Sequence, residues 1–566
     1  MWFDTPARAA GEALPVGTGR VSALCFGAVE EERLELSNMD TQVEPLGDLT
    51  VAVHAPHGGP VEDYGRQLDL RSGIHTVDYR IGRTPVRREV VCDGRSGVIG
   101  IRVWAEGGAR ATAWLTGGGT ELAGVGADGT PYAMAIALHD EGDHSVCVYL
   151  AFRTGDRGPL AEPDRDPDRC VRQARAVVDK VAGRGWKRFR AAALRARRLE
   201  FEDIRLRFGR AARLTVDQFL ARVSAGDVPP TLVAKLFHLG RHVSVTKAVD
   251  RTWLGSSSHT ALPEYHESLV RFVERFGDTP EGAARRDGTW LDRLVADARL
   301  STYLWEHNAF RPNRHRLGTV VWPVVVRTAE LGCAWLDERH GPADHRVGAL
   351  LRQVFTQVVE ASKILGASGP VITRVRDHLK RLPIPPRPSA LHDVRSGTAE
   401  SCLVPAGLRS ATPESAVPTG EDRSVSGASP VTAWARSGDG ERAHAALAEV
   451  IAGLPPALHG GRVNIELTAA IAEMLLQSHT GDVEVLPALP RQWPEGLVSG
   501  LLARGGVTID MVWKDSMLRH VVVQAPADGG EIRIRYQGRT RVLRTMPWHR
   551  HVLDSGLIQV AAFRRL

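Results

Sequence analysis

Apolar and polar residues alternate along roughly the first 155 positions, and Gly-rich turns interrupt the alternation at hairpin spacing. Val77–Ile81, Val86–Cys92, Val98–Trp104, Ala111–Leu115 and Val146–Phe152 read as short strands. Gly82-Arg83 and Asp93-Gly94 supply turn chemistry between neighbours. The pattern predicts an antiparallel β-sandwich over 1–160. Over 161–228 the apolar period lengthens to that of a helix, in an Arg-rich linker. From 229 to 480 it predicts eight or nine helices: near 229–247, 262–276, 289–308, 318–338, 344–365, 369–381, 429–437, 441–453 and 465–479. Leu350, Leu351, Val354, Phe355, Val358 and Val359 form the clearest amphipathic stripe. Pro383–Pro430, dense in Pro, Ser, Gly and Thr, reads as loop or disorder. Strand alternation returns over 481–566, at Thr508–Trp513, Arg519–Gln524 and Ile532–Tyr536, and predicts a small β domain.

At 566 residues the chain exceeds one ordinary core. Its 43% hydrophobic and 24% charged residues make a globular balance. The net charge of +6 is small despite a pI near 9.1, because Asp plus Glu nearly match the mostly Arg cations. No nucleic-acid partner is expected. The densest basic run, Trp186-Lys187-Arg188-Phe189-Arg190, reads as a helix with a wet basic face and inward aromatics. Cys25, Cys92, Cys147, Cys170, Cys333 and Cys402 lie far apart without a C-x-x-C pair, which predicts reduced, buried thiols. No membrane span is expected. The start, MWFDTPARAAG, has no basic-then-apolar pattern, so a cytoplasmic protein is expected.

Small constellations add little. His54 with His57, and His549 with His551, lack the further ligands a metal needs, so neither metal nor other cofactor is expected. Gly17-Thr18-Gly19 lacks the Lys and strand context of a phosphate loop and reads as a tight turn. Trp305, Glu306 and His307 share a helix, where an indole face suits a pyranose ring, but ordinary core packing is the better reading for it.

Ala469–Gly496 reads as a buried helix bearing Ile471, Met474, Leu475 and Leu476, a stop at Thr480-Gly481, and extended chain at Val483, Val485 and Leu486. This stretch resembles the helix-to-β junction of glycoside hydrolase family 95, the inverting α-L-fucosidase and α-L-galactosidase family. The opening, Trp2-Phe3-Asp4 through Leu36, is similar to that family's start. Pro45–Leu49, Arg66–Leu70, Arg87–Val90, Leu236–Arg241, His266–Phe276, Leu304–His307 and Ala433–Trp513 continue the likeness in the family's order. The resemblance implies an α+β multidomain fold: an amino-terminal antiparallel β-sandwich, a helical linker, a shortened (α/α)6-type barrel, and a small carboxy-terminal β domain. The implied substrate is a fucose- or galactose-containing oligosaccharide.

An inverting glycosidase needs a protonated carboxylic acid on the leaving oxygen and a base or positioning group for water on the opposite face. The resemblance assigns these to a Glu in an S-P-E-N type motif and to an N-x-N motif helped by the Asp of D-G-N-F-G-G. At that last motif this chain reads Arg462-Val463-Asn464-Ile465-Glu466-Leu467, so Arg462 stands where the family has Asp, while Asn464 fits. A cation takes no proton from water. Where N-x-N is expected the chain reads Thr252–His259, without Asn. Where S-P-E-N is expected it passes from Glu338-Arg339-His340 into a helix, and Thr412-Pro413-Glu414-Ser415 lies too late to replace it. No catalytic residue is therefore assigned, and Trp305, Glu306, His307 and Asn464 are the expected substrate-binding residues. Three readings follow: an α-L-fucosidase-type glycosidase, impaired or inactive; a non-catalytic carbohydrate-binding relative; and a gene remnant. Glu264, Glu306 and Glu338 are the carboxyls a rewired acid would draw on.

Overall fold

The computed structural model describes residues 1–18, 21–37, 46–54, 59–126, 131–155, 166–201, 204–209, 215–246, 290–338, 345–382, 429–453 and 461–564. The expected helix at 262–276 and residues 383–428 of the expected loop lie outside these, as do Glu264 and Glu414. The chain divides into two compact units. One comprises Met1–Asp203, Arg210–Asp250 and Glu449–Ile465; the other comprises Ile204–Gly209, Arg251–Ala448 and Glu466–Leu566.

The first unit is built on two antiparallel sheets. Strands β1 (Trp2–Phe3), β2 (Leu14–Thr18), β3 (Val21–Cys25), β4 (Glu31–Ser37) and β5 (Gly47–His54) are followed by β6 (Val61–Asp69), β7 (Ile74–Ile81) and β8 (Thr84–Asp93). Then come β9 (Val98–Ala105), β10 (Arg110–Leu115), β11 (Glu121–Val125), β12 (Pro131–Asp140) and β13 (Ser145–Thr154). One sheet runs β1-β6-β7-β8-β9-β13-β12-β11 and the other β10-β5-β4-β3-β2. Each expected strand is present, one to three residues longer at its ends. Ile81 pairs with Thr84 across Gly82-Arg83, with Gly82 at φ 57, where a side chain is disfavoured. Helices α1 (Pro167–Ala182) and α2 (Trp186–Glu200) cover the larger sheet. Trp186 and Phe189 are buried while Lys187 and Arg188 are exposed, as the basic run predicted. Phe189 packs so closely on β9 that a Cβ at Gly100 would lie 2.3 Å from its ring.

The inward rows of this unit carry charge as well as hydrocarbon. On β4 the buried row is Glu32, Leu34 and Leu36, and on β8 it includes Arg88. Arg88 Nη2 donates to Glu32 Oε2 at 2.5 Å and to Ala28 O at 2.7 Å, and both side chains are wholly buried. Gly27 N donates to Glu32 Oε1 at 3.0 Å. Beside them His75 is fully buried, and burial, then Arg88 and Arg66, pushes its pKa well below the usual value.

Helices α3 (Val216–Ser224) and α4 (Pro230–Thr246) complete the described part of this unit. Thr215 and Gln218 form a reciprocal capping box at the start of α3. On α4, His242 is bonded on both ring nitrogens: Arg197 Nη2 lies 2.8 Å from Nδ1, and Nε2 lies 2.8 Å from Pro15 O. An Arg only donates and a carbonyl only accepts, so Nδ1 accepts and Nε2 carries the proton. Burial, then Arg197, lowers its pKa to about 3.

Two buried neutral histidines make this unit acid-sensitive. The unfolded chain binds a proton at each below about pH 6.5 while the folded one does not, so stability is lost as pH falls through that value. The expected loss is roughly 2.7 kcal/mol per pH unit for the pair between about pH 6 and 5. Urea unfolding at both pH values checks this; a His242→Asn variant should lose about half of the slope, and an unchanged slope would refute the assignment.

The second unit contains helices α5 (Trp290–Phe310), α6 (Arg314–Glu338), α7 (His345–Leu365), α8 (Pro370–Arg381), α9 (Ser429–Ser437), α10 (Gly440–Ala452) and α11 (Gly461–Leu475), the last two shared in part with the first unit. The predicted stripe on α7 is real: Leu351, Val354, Phe355 and Val358 are fully buried against Leu304 of α5 and Val325, Ala329 and Cys333 of α6. A π-helical turn, Leu317–Val321, widens α6 near its start. By length and apolarity α6 would also pass for a membrane span, but the stripe it buries is that of a helical core.

The carboxy-terminal strands are β15 (Leu476–Gln477), β16 (Val483–Val485), β17 (Gly496–Ala503), β18 (Val507–Lys514), β19 (Met517–Gln524), β20 (Gly530–Tyr536), β21 (Arg539–Thr545), β22 (His549–Asp554) and β23 (Gln559–Arg564). They form sheets β14-β17-β18-β19-β22-β23 and β15-β16-β20-β21, where β14 is Arg205–Phe208. Two sequence readings are corrected here. The linker is not wholly helical, because β14 pairs antiparallel with Gly496–Ser499. The last helix begins at Gly461 and ends at Leu475, earlier than Thr480-Gly481, because Leu476 and Gln477 pair with Val485 and Glu484. Gly481, at φ 91, makes the following turn.

Candidate active site

Helix α5 carries three of the expected residues near its carboxyl end. Trp305 is partly buried and packs on the helical core, which favours its packing role. Glu306, on the next position round the helix, is 7% exposed. Its Oε2 accepts from Arg504 Nε at 3.1 Å and Arg504 Nη2 at 2.5 Å. Arg504 lies in the β17–β18 turn and stacks over Phe310, 4.8 Å from the ring centre. Gly505 N of that turn donates to Ala309 O at 2.7 Å, satisfying a carbonyl in the last turn of α5. Glu306 is therefore a clamp between helix and β domain, one oxygen committed to a charged fork. His307 is buried, with Arg316 Nη1 3.4 Å from its Nε2.

Arg462 and Asn464 fall in the first turns of α11, and their side chains lie outside the described residues. Further along α11, Glu466, Thr468 and Glu473 are buried. Glu473 pairs with Arg436 of α9, 3.2 Å from Oε1 to Nη2. Gln477 Nε2 then donates to Ala435 O at 2.8 Å, so α9 is held to the end of α11 by two polar contacts. Glu338 is exposed at the end of α6. Its neighbour Asp337 accepts from Arg374 and lies 3.0 Å from His378 Nε2, contacts that hold its pKa below the ordinary carboxylate value. Glu306, Glu473 and Asp337 are thus ion-pair partners rather than free acids. Sequence reading missed the partners Arg504 and Arg436, which lie far from their carboxylates along the chain and carry no local signal.

Among the described residues no group of three or more His, Cys, Asp or Glu is arranged to hold a metal. His549 and His551 share one strand, but His551 Nδ1 is 3.0 Å from Gln559 Oε1. His54 is exposed, its Nε2 3.3 Å from Thr112 Oγ1. Cys25, Cys92, Cys147, Cys170 and Cys333 are buried thiols, as expected.

The chain is multidomain, with antiparallel β sheets at the amino end, helices in the middle and β sheets at the carboxyl end. Residues 1–41 and 37–157 match the glycosyl hydrolase family 65 N-terminal domain, and residues 477–561 match the glycoside hydrolase family 95 C-terminal domain. The likeness to glycoside hydrolase family 95 lies in the carboxy-terminal domain, which carries that match. It is 54% identical over 56 residues to "Alpha-L-fucosidase 2" of Arabidopsis thaliana, a stretch covering 10% of this chain and 7% of that protein. A solved structure described as "Putative kojibiose phosphorylase from human microbiome" superposes with a TM-score of 0.57 over 96% of each chain, at 8% identity, a likeness of fold alone.

Proposed function

We propose that this chain is a carbohydrate-active protein of the α-L-fucosidase type, descended from inverting hydrolases of terminal α-L-fucosides or α-L-galactosides, with turnover impaired or lost. The observation that carries the reading is the family 95 domain at 477–561 together with the high-identity match to an α-L-fucosidase. The helices from 230 to 475 then represent an (α/α)6-type barrel of reduced length. Impairment is supported by Arg462 standing where the resemblance places a carboxylate, and by the ion pair that occupies Glu306. The five buried thiols among the described residues suit a reducing, cytoplasmic compartment.

Acid and base groups each contribute about 10²–10⁴-fold in rate. Loss of both sides should leave p-nitrophenyl α-L-fucoside hydrolysis far below the about 1 s⁻¹ of an ordinary enzyme. Chromophore release by the purified chain measures this, with Glu306→Gln as control. Turnover above that rate that survives in wild type and vanishes in Glu306→Gln would establish a rewired acid and overturn the impairment. The second reading, a non-catalytic carbohydrate-binding relative, is favoured by the Glu306–Arg504 clamp, which spends a buried carboxylate on structure. It expects fucose to raise the melting temperature without being released from any glycoside.

A further inference from the structure

Two turns at one end of the larger amino-terminal sheet have the same sequence plan, Asp-x-Arg-Ser-Gly: Asp69–Gly73 joins β6 to β7, and Asp93–Gly97 joins β8 to β9. They are built alike. Arg71 N and Ser72 Oγ donate to the Asp69 carboxylate, and Arg95 N, Ser96 N and Ser96 Oγ donate to that of Asp93. Each closing glycine donates to the Asp carbonyl and sits at positive φ, 73° for Gly73 and 63° for Gly97. The carboxylates are thereby engaged by their own turns.

A small cleft is lined by Ser72, Gly73, Cys92 and Gly94 of these turns and strand ends, by Gly17 and Thr18 of β2, and by Arg197 of α2. The space within it is about that of one water molecule. Thr18 is 7% exposed, and its buried Oγ1 has no protein hydrogen-bond partner among the described residues. A buried hydroxyl without a partner costs free energy, so a ligand able to accept from it is favoured there. Arg197 contributes a permanent positive charge, held in place by its bond to His242 and by stacking over Phe201, 4.4 Å from the ring centre. Gly73 lies against the guanidinium: a Cβ there would be 3.5 Å from Arg197 Nε.

We propose that this cleft binds a monatomic anion of the chloride class, with Thr18 Oγ1 donating to it and Arg197 balancing its charge. The space, about that of one water molecule, suits a single-atom ion better than sulfate or a carboxylate ligand. The site is independent of any glycoside chemistry. It tethers β2, both Asp-x-Arg-Ser-Gly turns and helix α2 at one point.

The test is thermal unfolding of the full chain at constant ionic strength, with gluconate exchanged stepwise for chloride. Wild type should gain about 2–4 °C, with bromide equivalent and sulfate inactive, for an affinity of about 10 mM. Thr18→Val keeps the shape and removes the donor, so its chloride response should vanish; Thr18→Ser restores the donor and should restore it. Crystals soaked in bromide should show anomalous density between Thr18 and Arg197. An equal response in wild type and Thr18→Val, or density for a water only, would overturn the proposal.

Discussion

Arg88→Met should destabilise the amino-terminal unit by about 3–5 kcal/mol, and adding Glu32→Leu should return most of that loss. The single substitution removes the charged partner that Glu32 has among the described residues, a carboxylate with no solvent access, and leaves it the backbone groups of Gly27, Phe26 and Ala28. It also strips Ala28 O of its bond to Nη2. Taking both charges away leaves an inward row on β4 that continues Leu34 and Leu36 with another leucine. Buried pairs are expensive to break and inexpensive to replace as a whole, because the desolvation of both ions disappears together. Urea titrations of the two single variants and the double variant form a complete cycle, with coupling expected at about 2–3 kcal/mol. A cost below about 1 kcal/mol for Arg88→Met would mean that Glu32 finds water in the folded state.

This pair also marks how far local pattern carries. Period-two alternation was enough to find β7, β8, β9, β10 and β13, because Val77, Val90, Ile99, Leu115 and Val148 repeat on one face of each strand and are buried there. The same period sets Glu32 in line with Leu34 and Leu36, and Arg88 in line with Val86 and Val90, but nothing in the sequence tells that these two charges, far apart along the chain, meet in the core. The helical stripe on α7 was legible for the corresponding reason: Leu351, Val354, Phe355 and Val358 need only one neighbour face to bury them. Arg205–Phe208 was not, since a four-residue strand inside an Arg-rich helical stretch leaves too short a window for periodicity. At the candidate site the position of Trp305–His307 on a buried helix was legible, and the use of Glu306 was not, because Arg504 reaches it from the β17–β18 turn. Resemblance located Arg462 and Asn464 on the chain; their side chains lie outside the described residues.

The same short strand carries the other large effect: a fragment spanning 477–566 should fail to fold cooperatively unless residues 204–209 are supplied. The matched family domain begins at 477, yet its larger sheet takes β14 as its edge strand, with Arg205 opposite Ser499 and Phe208 opposite Gly496. The contact is close. A Cβ at Gly496 would stand 2.7 Å from Arg207 O and 2.3 Å from the Trp513 ring. Phe208 stacks on Trp493 at 4.5 Å between centroids and meets Trp513 edge-on at 5.9 Å, and Trp513 Nε1 donates to Trp493 O at 2.9 Å. Trp493 is fully buried and Trp513 nearly so, hence Phe208 closes a core that the later strands leave open. His444 of α10 packs edge-on against Trp493 as well, 6.0 Å away. In the full chain Phe208→Ala should cost about 3–5 kcal/mol, the range for removing a buried aromatic. In the fragment the missing strand exposes both that core and an unpaired sheet edge, which invites association. Near-ultraviolet circular dichroism reads the fixed packing of Trp493 and Trp513 directly. The 477–566 fragment should lack that signal and melt without a transition, and one with 204–209 joined through a Gly/Ser linker should regain both. Equal, cooperative melting of the two fragments would show that β14 merely decorates a domain able to fold without it.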